Sequence, residues 1–272
     1  MNALAQSRPA ALPILRRLLA EGGWGLLGWT AEIAIAITLY IPLFPSMQTP
    51  ELAGILDSLP PELVRTLGYE DITSGAGYVQ ATFFGLIGFV LLTIAVVSWG
   101  AACTGGAEES GRLELTLAHA VSRIQYAAEA AAALLCRLVA LGAVAWLLIR
   151  VLDGPAQLDL DPLDLLAGTA AWVSLGLVCG SAAFAVGAGS GRRLWAIAAG
   201  AGVAVAGYVI EALANNSDDL GWVRAVSPYA WAYQHTPLAD GFDGGGLALL
   251  WAASLALLGI GAVALARRDI LG

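Results

Sequence analysis

The chain has 272 residues, of which 58% are hydrophobic and 12% charged, with a net charge of −8. Soluble domains carry about 25% charged residues, so half the usual charge has given way to Ala, Leu, Val and Gly. This excludes a soluble globular protein, and the acidic balance makes nucleic acid an unexpected partner.

Six spans of about 20 residues would use roughly 120 residues. The remainder suffices for loops and short surface helices but not for a separate soluble domain. All 13 basic residues are arginine, a composition that fits a GC-rich bacterial genome. Cys103, Cys136 and Cys179 are odd in number and widely spaced, so neither a disulfide framework nor a metal pattern is expected. The first 23 residues hold two arginines in a short amphipathic run, unlike a cleavable signal.

In chain order, residues 11–22 come first. Ile14, Leu15, Leu18 and Leu19 share a helical face, with Arg16, Arg17 and Glu21 elsewhere. The run is too short to span and predicts a helix lying in the cytoplasmic interface; the alternative is the first turns of span one. Spans are expected at 24–45, 77–102, 124–150, 164–189, 194–214 and 246–266, each long enough to cross about 30 Å. Trp24, Trp99, Trp146, Trp195 and Trp251 fall near their ends, where amphipathic rings sit.

Arginine sets the orientation. Arg8, Arg16, Arg17, Arg112, Arg123, Arg192, Arg193, Arg267 and Arg268 fall on one side, and Arg65 and Arg224 on the other. The arginine-rich side is therefore cytoplasmic, with both termini inside. The outer loops collect Asp and Glu. In the loop 46–76, Pro60-Pro61 followed by Leu63, Val64, Leu67 and Gly68 predicts a short helix. The loop 215–243 carries Trp222, Tyr229, Trp231, Tyr233 and Phe242, which suggests packing at the outer membrane face.

Four ionisable residues lie in or near spans: Glu32, Glu129, Arg137 and Glu211. An unpaired charge there costs several kcal/mol. Glu129 is placed near the inner end of span three and Glu211 near the outer end of span five. Glu32 lies about 12 Å into span one and Arg137 about 10–20 Å into span three, both from the cytoplasmic side. They reach one level, so an ion pair, a shared place on a substrate path, or snorkelling are the readings for Glu32 and Arg137. Catalytic constellations and metal ligands are missing from the pattern. His119 and His235 fall on opposite sides, and no lysine exists for a phosphate-binding loop. Gly176-x-x-x-Gly180 permits close packing, within the chain or between copies.

The most informative stretch is cytoplasmic, 103–123. Leu113, Leu117 and Val121 share a face at i, i+4, i+8, bordered by Glu108, Glu109, Arg112 and Glu114. Such a helix either docks into a groove of a soluble partner or lies on the membrane interface.

The run from Glu108-Glu109 through Gly111, Arg112, Leu113-Glu114-Leu115 and Leu117 to Ser122-Arg123 resembles the loop after span two in ABC transporter permeases of the type-2 exporter class. His119 stands where that family often has Thr or a small polar residue. The amphipathic start resembles the family's elbow helix. Ser227-Pro228-Tyr229-x-Trp231 with Pro237-Leu238-x-x-Gly241 resembles its outer region before the last span. Arg267-Arg268-Asp269-Ile270 resembles its basic tail. The resemblance implies an all-α membrane permease, residues 1–272 forming one transmembrane domain with six spans, an elbow helix and a coupling helix. It further implies a multi-pass protein of the bacterial inner membrane. Its expected partners are the bilayer, a second permease half, identical or homologous, and two cytoplasmic ATPase subunits, which would hold ATP and Mg. Glu108, Glu109, Gly111, Arg112, Leu113, Glu114, Leu117 and Arg123 would meet the ATPase, and the cargo would be a drug, antibiotic or lipid. Competing readings are a stand-alone secondary transporter, which should show internal repeats, and a non-transporting membrane anchor.

The orientation predicts a labelling pattern. In a background without native cysteines, single cysteines at Ser110, Ser190 and Leu271 should resist an impermeant thiol reagent in intact cells. Cysteines at Asp57, Ser217 and Asp240 should react. Outside labelling of position 110 would reverse the topology.

Overall fold

The computed structural model describes residues 12–49, 60, 71–118, 121–216 and 218–268. The expected helix after Pro60, together with Arg65, His119 and the tail residues Asp269 and Ile270, lies outside the described residues. Among these, the elements are all helical. Six helices are long and apolar enough to cross a membrane: α2 (Gly23–Met47), α3 (Gly75–Cys103), α6 (Arg123–Ala156), α7 (Pro162–Ser190), α8 (Arg193–Asn215) and α11 (Gly244–Arg267). A short helix α1 (Pro13–Glu21) precedes them. Two more, α4 (Gly105–Glu109) and α5 (Arg112–Leu117), link α3 to α6. Outside, α9 (Pro228–Tyr233) and α10 (Pro237–Asp240) precede the last span.

The expected spans agree with these helices to within a few residues, and the largest difference has a local cause. Helix α6 continues past Arg150 for another turn, where Arg150 Nη1 meets Asp153 Oδ2 at 2.8 Å. Asp153 Oδ1 also accepts the Leu160 amide at 3.1 Å. The helix ends beyond Pro155 at Gln157, which has a φ of 56°.

Helix α7 is the hub. Of its most apolar window 83% is buried, against 17–50% for the other five spans. Small residues let the neighbours close on it. A Cβ on Gly100 of α3 would lie 2.4 Å from the Gly180 carbonyl oxygen of α7, and one on Gly176 would lie 2.5 Å from Leu92 Cδ2. The Gly176-x-x-x-Gly180 spacing therefore serves packing within the chain. Trp172 fills the middle of the hub at 0% exposure. Its ring centroid stands 5.6 Å from Phe83 and 5.9 Å from Phe84.

Two helices depart from regular winding. Span α2 tightens to 3-10 geometry at Ile41–Leu43, where Pro42 lacks an N–H. Span α3 widens to a π-helix over Gln80–Ile87. Such wide turns frequently mark functional places.

The Gly100–Gly180 contact yields a stability prediction. A valine at Gly100 meets a backbone oxygen, which cannot move aside as a side chain can. Overpacking of this kind costs about 1–3 kcal/mol, so Gly100→Val should lower the thermal midpoint of the purified protein by several degrees. Gly202→Ala, where nothing lies within 4 Å of the new Cβ, should leave it nearly unchanged.

Candidate functional site

The end of the bundle that carries α1 is organised by two buried charges on α6. Glu129 is 3% exposed and Arg137 5% exposed, and each bonds one end of α1, Arg137 through Nη2 while its buried Nε has no partner among the described residues. Glu129 Oε2 accepts the amides of Ile14 at 2.8 Å and Leu15 at 2.9 Å. These are donors that a helix start leaves without intrahelical partners. Glu129 Oε1 accepts Gln125 Nε2 at 2.8 Å. Arg137 Nη2 donates to the Leu18 carbonyl in the last turn of α1. Its guanidinium also lies 5.5 Å from the Trp99 ring centroid. An anion at the N-terminus and a cation at the C-terminus both complement the helix dipole.

This corrects the expected pairing of Glu32 with Arg137. The two share a level in the membrane but not a direction. On α2, Ile33 faces the core at 0% exposure, whereas Glu32 is exposed. Successive helical residues are turned by about 100°, so the neighbour of an inward residue readily points out. Arg137 turns instead to the elbow helix.

The elbow supports the loop between α3 and α6. Ile14, Cys103, Ala107, Leu113, Tyr126 and Leu265 belong to one buried cluster, with Leu18, Leu117 and Val121 packed against it. Tyr126 Oη donates to the Cys103 carbonyl at 2.7 Å. Gly111, at a φ of 69°, turns the chain between α4 and α5, a left-handed conformation that suits glycine.

The loop's acidic pair is also engaged inside the chain. Arg268 Nη2 donates to Glu108 Oε1, and Arg268 Nη1 to the Ala188 carbonyl at 3.0 Å. Glu109 Oε1 accepts the Arg193 amide at 3.0 Å and so caps the start of α8. Arg123 Nη1 donates to the Arg268 carbonyl and, at 3.4 Å, to that of Leu265. The segment Glu108–Arg123 thus ties α1, α8 and α11 together.

Two of the residues expected to meet a partner change role. Leu113, 1% exposed, packs on the chain's own elbow and α6. Leu117 lines the same face. The apolar stripe read from the sequence is real, but it is directed inward. Arg112, exposed, donates from Nε to Ser110 Oγ at 2.9 Å; Glu114 and Gly111 are half-buried. The outward face was missed. Leu115 is 67% exposed, and its place two residues from Leu113 and Leu117 was the available signal. At Glu109 a cavity of about 660 Å³ is walled also by Gly191, Arg192, Leu194 and Trp195. Leu194 and Trp195 are 72% and 56% exposed.

At the outer end, α9 is built by Ser227-Pro228. Ser227 Oγ accepts the Ala230 amide at 3.2 Å and donates to the Gly207 carbonyl at 2.9 Å. This holds Tyr229 and Tyr233 over the π-helical part of α3. Tyr229 Oη donates to the Gly85 carbonyl at 2.8 Å, and Tyr233 Oη to that of Phe84 at 3.0 Å. Burial pushes both phenols above their ordinary pKa, which keeps them protonated as donors. Glu211 lies near the outer end of α8, its Oε1 3.4 Å from Arg224 Nε.

A scan against protein families matches residues 23–265 to the C-terminal domain of the multidrug efflux system permease Rv1217c. The chain belongs to that family. No curated protein matches the efflux permease closely enough to add to this. The match covers the loop Glu108–Arg123 and the six spans, the last to within two residues of its end, while the elbow α1 and Arg268 lie outside it.

The clamp on the permease's elbow can be tested by substitution. Arg137→Leu or Glu129→Leu each removes one end of it. Glu129→Leu leaves two backbone amides without their acceptor and Arg137→Leu removes a charge-assisted hydrogen bond, each such loss costing about 1–3 kcal/mol, so each substitution should lower the thermal midpoint. A double-mutant cycle between Glu32 and Arg137 should be additive within about 0.5 kcal/mol. A larger coupling energy would place them in contact.

Proposed function

We propose that the chain is the membrane half of an ATP-driven exporter that moves a hydrophobic or amphipathic compound out of the cytoplasm or inner leaflet. Hydrolysis would belong to a separate ATPase subunit, two copies serving two permease halves of the bacterial inner membrane. The second half would be this chain again or a homologue, and both termini would face the cytoplasm.

One observation carries the reading. The loop Gly105–Leu117 is fixed to the elbow, α8 and α11, yet keeps Leu115 exposed, and its Glu109 walls a cavity with Leu194 and Trp195. A surface used only to turn the chain needs no such anchoring to an elbow helix and two spans. Anchored in this way, a push on Leu115 is delivered to α6 through Leu113, to α8 through Glu109 and to α11 through Glu108. The family supports export of drugs, and the missing phosphate-binding lysine leaves the energy source to a partner.

The test separates the two faces of the loop. Leu115→Asp changes the outward face alone. Membrane insertion and thermal midpoint should stay normal, while pull-down of the ATPase and cargo-stimulated hydrolysis in lipid both fall. Leu113→Asp should instead destabilise the permease, because truncating a buried Leu alone costs about 2–5 kcal/mol. Intact assembly and coupled transport in Leu115→Asp would remove the loop from the energy path. A wild-type chain that transports without recruiting any ATPase would establish the secondary-transporter reading.

A further inference from the structure

The outer ends of α3 and α8 enclose a cavity of about 250 Å³. Asp71 and Gln80 stand on one side, Glu211 and Asn215 on the other, and Tyr229 and Tyr233 form the roof. One to three turns further in, the same two helices border a lateral groove of about 340 Å³. Phe89, Val90 and Ile94 of α3 face Ala204, Val205 and Tyr208 of α8 there. Apart from Thr93 and the Tyr208 hydroxyl, its lining side chains carry no polar atom.

Tyr229 stands between the two spaces. Its ring centroid is 5.3 Å from Phe89 and 5.4 Å from Tyr208 on the groove side. On the pocket side it is 4.9 Å from Tyr233. The π-helix Gln80–Ile87 runs across this junction, and the two tyrosine hydroxyls are committed to its carbonyls. The phenols therefore offer the cavity ring faces rather than hydroxyl donors.

The polar lining is rich in acceptors. Gln80 Oε1 and Glu211 Oε2 are buried atoms without a hydrogen-bond partner. Arg224 stands 3.4 Å from the other Glu211 oxygen without forming a hydrogen bond through Nε, and its Nη2 donates to Asn215 Oδ1. Among the described residues, the lining thus carries two carboxylates, Asp71 and Glu211, with Arg224 at the second of them. Unpartnered acceptors, an excess of negative charge and aromatic faces together suit a cation.

We propose that pocket and groove form one site for an amphipathic organic cation, with its charged head among Gln80, Glu211 and the tyrosine rings and its apolar body in the groove. This rests on the efflux reading and names the class of cargo. The α3–α8 pair would then be the outer part of the export path.

The experiment measures binding to the purified permease in lipid nanodiscs, without ATP or ATPase. Tetraphenylphosphonium and tetraphenylborate share size and shape and differ in the sign of charge. After correction for empty nanodiscs of the same lipid, the wild-type protein should bind the cation at least roughly tenfold more tightly. Glu211→Gln should weaken the cation roughly tenfold and leave the anion unchanged, and Val205→Trp, which fills the groove, should weaken the cation as well. Equal binding of the two ions by the wild-type protein would overturn the proposal, as would a folded Glu211→Gln that binds the cation unchanged. The wild-type comparison stands whether or not the variants fold. Loss of cation selectivity in a chain that still recruits its ATPase defeats this inference alone. Retained selectivity without ATPase recruitment defeats the ATP-driven reading alone.

Discussion

The half of the molecule that carries α1 depends on one arrangement: two opposite charges on α6, eight residues apart in sequence, hold the two ends of a nine-residue helix. Eight residues span about 12 Å along a helix, enough to place a carboxylate at the start of α1 and a guanidinium at its last turn. Each charge alone would be expensive at this depth. Together they meet backbone dipoles of the required sign, and Glu129 gives partners to the amides that the helix start leaves open. With α1 held in this way, Ile14 is fixed beside Leu113, Tyr126 and Leu265. The loop after α3 then has a floor, and Glu108 and Glu109 can tie it to the last span and to the start of α8.

The spans and the elbow were legible in the sequence because their signals are local. Continuous apolar length gives the six spans their character, and Ile14, Leu15 and Leu18 give α1 its face. Ser227-Pro228 is likewise a local cap signal, and the structure uses it as one. The contacts that define the sites were not legible. Counting residues put Glu32 and Arg137 at one depth, but the angle of each side chain around its helix depends on which neighbours pack where. The stripe of Leu113, Leu117 and Val121 announced an apolar face and not what covers it; the elbow, rather than another protein, lies against it. The π-helical winding of α3 has no sequence signature of its own. It is held by tyrosine hydroxyls that arrive from about 145 residues away along the chain.

The two ends of the molecule are linked through the same helices. Span α3 carries the π-helix at its outer end and feeds α4 at its inner end, while α8 borders the outer cavity with Glu211 and is capped inside by Glu109. Both pack on α7, whose buried face leaves little freedom to deform. A displacement of the loop would therefore be passed to α3 and α8 more readily as a shift of whole helices than as a local bend. On the proposed reading, this is a direct route from the docking face of the loop to the cavity at the other end.

The central claim is that the elbow, its two clamping charges and the loop Gly105–Leu117 form one mechanical unit. Hydrogen exchange in lipid nanodiscs, compared between the wild-type protein and Glu129→Ala, tests it most directly. The account predicts slow exchange of the Ile14 and Leu15 amides in the wild-type protein. It also predicts that the substitution speeds exchange both there and in the loop, which shares the buried cluster. Fast exchange of the elbow in the wild-type protein, or a loop that keeps its protection when the elbow loses its own, would contradict it.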